Sequence, residues 1–242
     1  MKKSLSLEEK IKNDRKNYLS FLKKIRNKKL YVKEAQLNEL HKLLWILKIL
    51  EIKFENNNYY KDIFNNILSI VFLSLSNDIK GIKLFIRNTI EDIFKISCIF
   101  FTNVDGINVD EKIGNLSKNI IKFSTEQIIK EKFSQLISDY REMSNVIHSN
   151  DLHLKKLDIM SNLNEFKNFY KSSDYIKVIK TISRDIKNFI EIYFMINYKI
   201  LSYSSFNEQE VNFFREFLSG EVLKFIDNKN FINNIKKIVI KL

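Results

Sequence analysis

Residues 31–55, "YVKEAQLNELHKLLWILKILEIKFE", carry Leu37, Leu40, Leu44, Leu47 and Ile52 at steps mostly of three and four, with Trp45 among them. That spacing returns apolar side chains to one side of an α-helix and does not fit the alternation of a strand. The stretch predicts an amphipathic helix, and residues 5–28 predict another before it. Together they form an expected N-terminal helical hairpin over 1–57, closed by the asparagine run at 56–58, since asparagine tolerates turns and forms helices poorly.

The same periodicity continues down the chain. Helices are predicted near 59–75, 77–102, 124–148, 152–170, 174–203 and 207–241, with a looser stretch at "VDGINVDEKIG" (104–114) and a break at "SND" (149–151). Ser149, Asn150 or Asp151, then Ser173 or Asp174, and then Asn207 stand where helix caps are expected. The chain has no proline and four glycines, so the residues that most often interrupt helices are nearly missing. No internal repeat, low-complexity linker or convincing strand alternation is present, although "KIVIKL" at the end suits β structure in another setting. An all-α protein is expected, with residues 58–242 as a helical bundle and C-terminal helical extension following the hairpin.

Of the 242 residues, 45% are hydrophobic and 29% charged, with 20 Phe and 10 Tyr, a composition that packs a core and does not stay disordered. The formal charge is +12. Much of the excess lies in residues 1–33, where Lys23, Lys24, Arg26, Lys28 and Lys29 form the densest cluster. A polyanionic partner follows, nucleic acid before an anionic membrane surface; the plainer reading is a solvated basic helix in a lysine-rich chain. Cys98, in "FKISCIFF", is the single cysteine, which excludes an intramolecular disulfide and a cysteine-based zinc site and points to a reducing compartment. "MKKSLSLEEK" turns charged before an apolar signal core can form, and "IFNNILSIVFLSLS" (63–76) is too short and too polar to span a bilayer. The expectation is a cytoplasmic protein without membrane attachment.

Chemistry concentrates in "SDYREMSNVIHSND" (138–151). Seven residues on a helix return to nearly the same face, drifting by about 20° per heptad. Arg141, Ser144 and His148 therefore share one stripe. Near a helix end, free carbonyls favour a protonated imidazole while a neighbouring guanidinium disfavours it. Arg141 offers a planar fork of donors to a phosphate, and His148 can move a proton, which makes a minimal phosphodiester site. Such a pair on one face is also common among ordinary surface helices. Ser144 has no third group to suggest a triad, so a hydrogen bond to His148 or to a backbone carbonyl is its expected role.

Two other patterns bear on this site. In "LFIRNTIEDIFKI" (84–96), Arg87 and Glu91 stand four apart and are expected to form an intrahelical ion pair, or to support Arg141 if Glu91 is buried. His148, Asp151 and His153 offer metal-ligand chemistry but straddle the predicted break, so neither metal nor cofactor is expected. His41 reads as a helix-surface residue. The Phe-rich "FNEQEVNFFREFLSGEVLKF" (206–225) reads as core and dimer surface and not as a base-stacking platform. No phosphate loop, dinucleotide glycine pattern or nucleophile elbow occurs.

The motif "YREMSNVIHS", arginine then six residues then histidine, resembles the signature of the HEPN superfamily. The tyrosine before the arginine, Tyr140, and the serine four before the histidine, Ser144, are similar to members of that group, and the Arg87–Glu91 helix is similar to one found in related proteins. Where HEPN nucleases usually carry Asn, Asp or His after the arginine, this chain has Glu142, which can orient His148 or Arg141 and can also repel RNA. The resemblance spans about residues 59–203. It implies an up-and-down bundle of about four helices that pairs as a homodimer, with two Arg–His sets facing one cleft. It further implies a metal-independent endoribonuclease of a toxin–antitoxin, abortive-infection or other antiviral system, acting on RNA such as tRNA, with an antitoxin or defence-complex protein as partner. The alternatives are a non-catalytic RNA-binding or regulatory subunit of a nucleic-acid-guided effector, and a helical inhibitor protein.

Overall fold

Where so few residues break a helix, long helices form whenever an apolar stripe finds a partner. The computed structural model describes residues 5–25, 32–54, 58–101, 108–123, 127–148, 171–196 and 206–228. Among these residues there are helices and no strands. They are α1 (Leu7–Ile25), α2 (Glu34–Lys53), α3 (Asn58–Ser76), α4 (Ile79–Phe101), α5 (Val109–Phe123), α6 (Gln127–His148), α7 (Ser172–Ile196), α8 (Glu208–Phe217) and α9 over 220–228. No described helix is long and apolar enough to cross a membrane.

α4 is the centre. Ile79, Ile82, Ile86, Ile90 and Ile93 recur at three- and four-residue steps and are all buried. α3, α5, α6 and α7 pack around this helix, and α2 closes the bundle against α3 and α7. Each fully buried isoleucine is worth roughly 1.5–3 kcal/mol in transfer free energy, before the chain entropy that opposes it. The expected hairpin is therefore only half peripheral. α2 buries Leu40, Leu43, Ile46, Leu47 and Leu50 in the same core as the residues beyond 57, while α1 rests on α2 and α8.

The turn from α3 to α4 shows how local chemistry sets the packing. Asn77 takes a left-handed φ of 56°, which asparagine accepts more readily than most residues. Asp78 Oδ1 then accepts from Gly81 N at 3.0 Å and caps α4. A Cβ on Gly81 would lie 2.7 Å from Asp78 Oδ2, so glycine lets the cap close. The Tyr175 hydroxyl, from α7, donates to the Asn77 carbonyl and ties the turn to the bundle.

Two sequence expectations change here. α5 occupies part of the stretch read as loose: Asn108 Oδ1 accepts from Glu111 N at 2.8 Å, and Ile113 and Leu116 are buried. Its Gly, Asp and Asn content conceals a cap followed by an apolar stripe. The single helix expected over 207–241 is broken after α8, where Leu218 is extended and Ser219 N donates to Glu191 Oε1 at 2.6 Å. A buried carboxylate that accepts this amide makes the break favourable, and the other Glu191 oxygen meets Lys132 Nζ at 2.5 Å. Asn207 caps α8 with a complete capping box, its side chain accepting from Glu210 N. At α7 the Asp174 carboxylate accepts from Lys171 N at 2.7 Å. The caps expected at 149–151 and the helix expected at 152–170 lie outside the described residues.

The aromatic tail joins the core as expected. Phe194, Phe206 and Phe214 meet edge to face with ring centroids 5.1–6.2 Å apart, and Phe54 and Tyr193 extend the cluster to α2 and α7.

Candidate functional site

α6 is packed on two sides, and the two sides carry different chemistry. Phe133 and Tyr140 turn to α4, where Phe94 meets both rings edge-on at centroid distances of 6.0 and 5.8 Å. Lys132, Asp139 and Glu142 turn to α7, where each has an ionic partner.

On the α4 side the sequence candidates converge. Arg87 Nε donates to Ser144 Oγ at 3.2 Å, and its Nη2 lies 3.4 Å from the Tyr140 hydroxyl. Its Cζ also stands 5.6 Å from the Tyr140 ring centroid, within cation–π range. Arg87, Tyr140 and Ser144 therefore form one group across two helices. Arg141, between the two α6 members, is exposed and makes no hydrogen bond or ion pair with another described residue. α6 continues unbroken to His148, so positions 141, 144 and 148 keep one helical phase; the His148 side chain lies outside the described residues.

Three expectations for these residues are corrected. Arg87 does not pair with Glu91: it reaches across to α6, and Glu91 pairs with Lys95 at 3.6 Å. Ser144 Oγ accepts from Arg87 Nε on α4 and donates to no backbone carbonyl among the described residues, while its other expected partner, the His148 side chain, lies outside them. Glu142 neither orients Arg141 nor approaches Arg87, because it faces α7 and pairs with Lys177 at 3.1 Å. One lysine thus offsets the acid that departs from the HEPN pattern, both groups being well exposed to solvent screening.

Glu91 belongs instead to a polar hollow of about 280 Å³ between α3 and α4, lined also by Asp62, Asn65, Asn66, Asn88, Asp92 and Lys95. Burial pushes the Asp92 carboxyl above its ordinary range, while Lys95 pulls it back. Among the described residues no cluster of His, Cys, Asp or Glu is arranged to hold a metal ion.

Of the basic residues expected to meet RNA, Lys23 and Lys24 are exposed on α1, with Lys23 Nζ 4.0 Å from Glu34. Arg26, Lys28 and Lys29, like Asp151 and His153, lie outside the described residues. α1 rests on α2 and α8, so these lysines and the Arg87 group occupy different helices of the bundle. A groove of about 780 Å³ opens where α1 meets α2 and α8, and it includes none of Arg87, Tyr140, Arg141 or Ser144.

Sequence reasoning missed what docks α1. His41 is 3% exposed and not a surface residue: its Nε2 donates to Asp14 Oδ2 at 2.8 Å, and Trp45 Nε1 donates to the same oxygen at 2.9 Å. The signal was available, since Asp14 interrupts the stripe of Leu7, Ile11, Tyr18 and Leu22 by which α1 packs. Also missed was the pair Asp139 and Asp185 between α6 and α7, where Arg184 Nη2 donates to Asp139 Oδ2 at 2.6 Å.

These elements define an all-α helical bundle with a cationic and hydroxyl-bearing group on its α4–α6 face. Comparison with protein-family models, curated proteins and solved structures gave no match, and the functional reading rests on the residues themselves.

Proposed function

We propose that the chain is a HEPN-type endoribonuclease in which Arg141 and His148 act on RNA and Arg87 supplies a second cation beside them. The observation that carries this reading is the reach of Arg87 from α4 to Tyr140 and Ser144, which brings a guanidinium from another helix onto the segment that displays Arg141. Guanidinium groups match phosphate oxygens in charge and geometry, and Arg141, exposed and with no ion-pair partner among the described residues, is placed to meet a polyanion. The pairing of Glu142 with Lys177 on the α7 side supports this reading, because it turns that acid from the Arg87 face.

In the proposed reaction His148 takes the proton of a ribose 2′-hydroxyl, and the oxygen attacks the adjacent phosphorus. Arg141 stabilises the charge that builds on the phosphorane oxygens. The bond to the 5′-oxygen breaks as that oxygen takes a proton from the histidine of a second copy in a homodimer. The products are a 2′,3′-cyclic phosphate and a 5′-hydroxyl. DNA lacks the attacking hydroxyl and resists. The biological setting proposed with this chemistry is a toxin–antitoxin or antiviral system, with RNA, tRNA included, as substrate and an antitoxin or defence protein as partner.

The test is incubation of the pure protein with labelled RNA and with DNA of the same sequence, both in EDTA. RNA alone should be cut, and Arg141→Ala should slow cutting about 100-fold or more. RNA bound but left intact would overturn catalysis in favour of an RNA-binding subunit. Neither binding nor cleavage would favour an inhibitor protein.

A further inference from the structure

α6 and α7 meet over two aspartates, of which Asp139 is 3% exposed and Asp185 is 0% exposed. Asp139 is well served. Gln135 Nε2 donates to both its oxygens at 3.1 Å, and Arg184 Nη2 donates at 2.6 Å. Asp185 is not: neither of its oxygens receives a hydrogen bond, Arg184 Nε stands 3.8 Å away, and its carboxyl faces that of Asp139.

Two buried carboxyls thus share one guanidinium, itself half exposed. If both were ionised, one buried negative charge would lack a counterion and two acceptors would face each other with no donor between them. One proton corrects both faults. Asp139, with three donated bonds, is the natural anion; Asp185, with none, is the natural acid.

We propose that Asp185 is held protonated and donates that proton's hydrogen bond to Asp139, making the α6–α7 joint a clasp that loosens when the proton leaves. This inference stands apart from the nuclease reading, although the clasp lies beside Tyr140 and Arg141 in the chain. The charged groups acting on Asp185 are Asp139 and Glu142 from α6 and Arg184 from its own helix. On α2 and α4, which also pack against α7, the buried titratable groups are otherwise engaged: His41 with Asp14, Asp92 with Asn66 and Lys95, and Cys98 with the Lys112 carbonyl; Tyr60 of α3 meets α7 at the Phe189 ring.

Burial and the facing Asp139 carboxyl, offset in part by Arg184, push Asp185 from 3.8 up to about 9. A raised carboxyl binds its proton more tightly folded than unfolded. The clasp's contribution to stability is therefore complete below the unfolded value and is lost as pH rises through the folded one. The experiment is urea unfolding of wild type and Asp185→Asn from about pH 5 to about pH 9, with infrared spectra of the folded proteins at neutral pH. The wild-type midpoint should fall across that range. Asp185→Asn keeps the shape, offers an N–H to Asp139, and should remove most of the fall, ending more stable than wild type at the alkaline end. A protonated-carboxyl band should be present in the wild type and lost in the variant. Equal falls in both proteins, or no such band in the wild type, would overturn the proposal; if the variant does not fold, the wild-type spectrum alone decides.

Discussion

Asp14 accepts from His41 Nε2 and Trp45 Nε1 through one oxygen, so a single exposed helix is anchored by one carboxylate to two donors on α2. Replacing Asp14 with alanine leaves the His41 donor buried and unmet, which costs about 1–3 kcal/mol. Asp14→Ala should lower the melting temperature and shift the emission of Trp45, the one tryptophan in the chain, as α1 lifts away. An unchanged melting curve would remove this bond from the account. At this scale the sequence was legible where a residue acts within its own helix and obscure where it acts across helices. The stripe linking Arg141 and Ser144 follows from helical geometry alone. The partner of Arg87 does not: intrahelical spacing offers Glu91, whereas packing of α4 on α6 offers Tyr140 and Ser144 at closer hand.

Helix boundaries were legible where capping chemistry is explicit. Asn207 and Glu210 satisfy each other's backbone donors at 2.9 Å, and α8 starts where that box predicts. Asn207→Ala should destabilise the protein by about 1 kcal/mol, readable as a lower urea midpoint with unchanged slope. No loss would mean that α8 is held by Phe214 and Phe217 alone. The end of α8 was not legible, because nothing local requires the chain to turn extended at Leu218. The requirement comes from Glu191, distant in sequence, whose buried carboxylate accepts the Ser219 amide. α5 escaped for the converse reason. Its stripe of Val109, Ile113, Leu116 and Ile120 has helical spacing, but the Asp105, Gly106 and Asn108 before it and Gly114 within it read locally as a loop.

For the whole molecule, composition already excluded a disordered chain and favoured helices, and the described residues form one helical core around α4. The position of the basic N-terminus was less legible. Charge identifies an exposed face but not the helix beneath it, and α1 lies on α2 and α8, whereas the Arg87 group lies on α4 and α6. If that face tracks the RNA backbone, replacing Lys23 and Lys24 with glutamine should weaken binding for all sequences and reduce the salt slope by about 1 for each lost phosphate contact. An unaltered slope would remove α1 from the interface. The central claim is that a guanidinium and an imidazole on α6 transfer the phosphoryl group to the ribose's own hydroxyl. Its most direct test is the end chemistry of RNA cut in EDTA by wild type and by His148→Ala of equal helicity. The wild type should leave 2′,3′-cyclic phosphate ends and the variant none above background; 3′-hydroxyl ends, or equal cutting by both proteins, would rule this chemistry out.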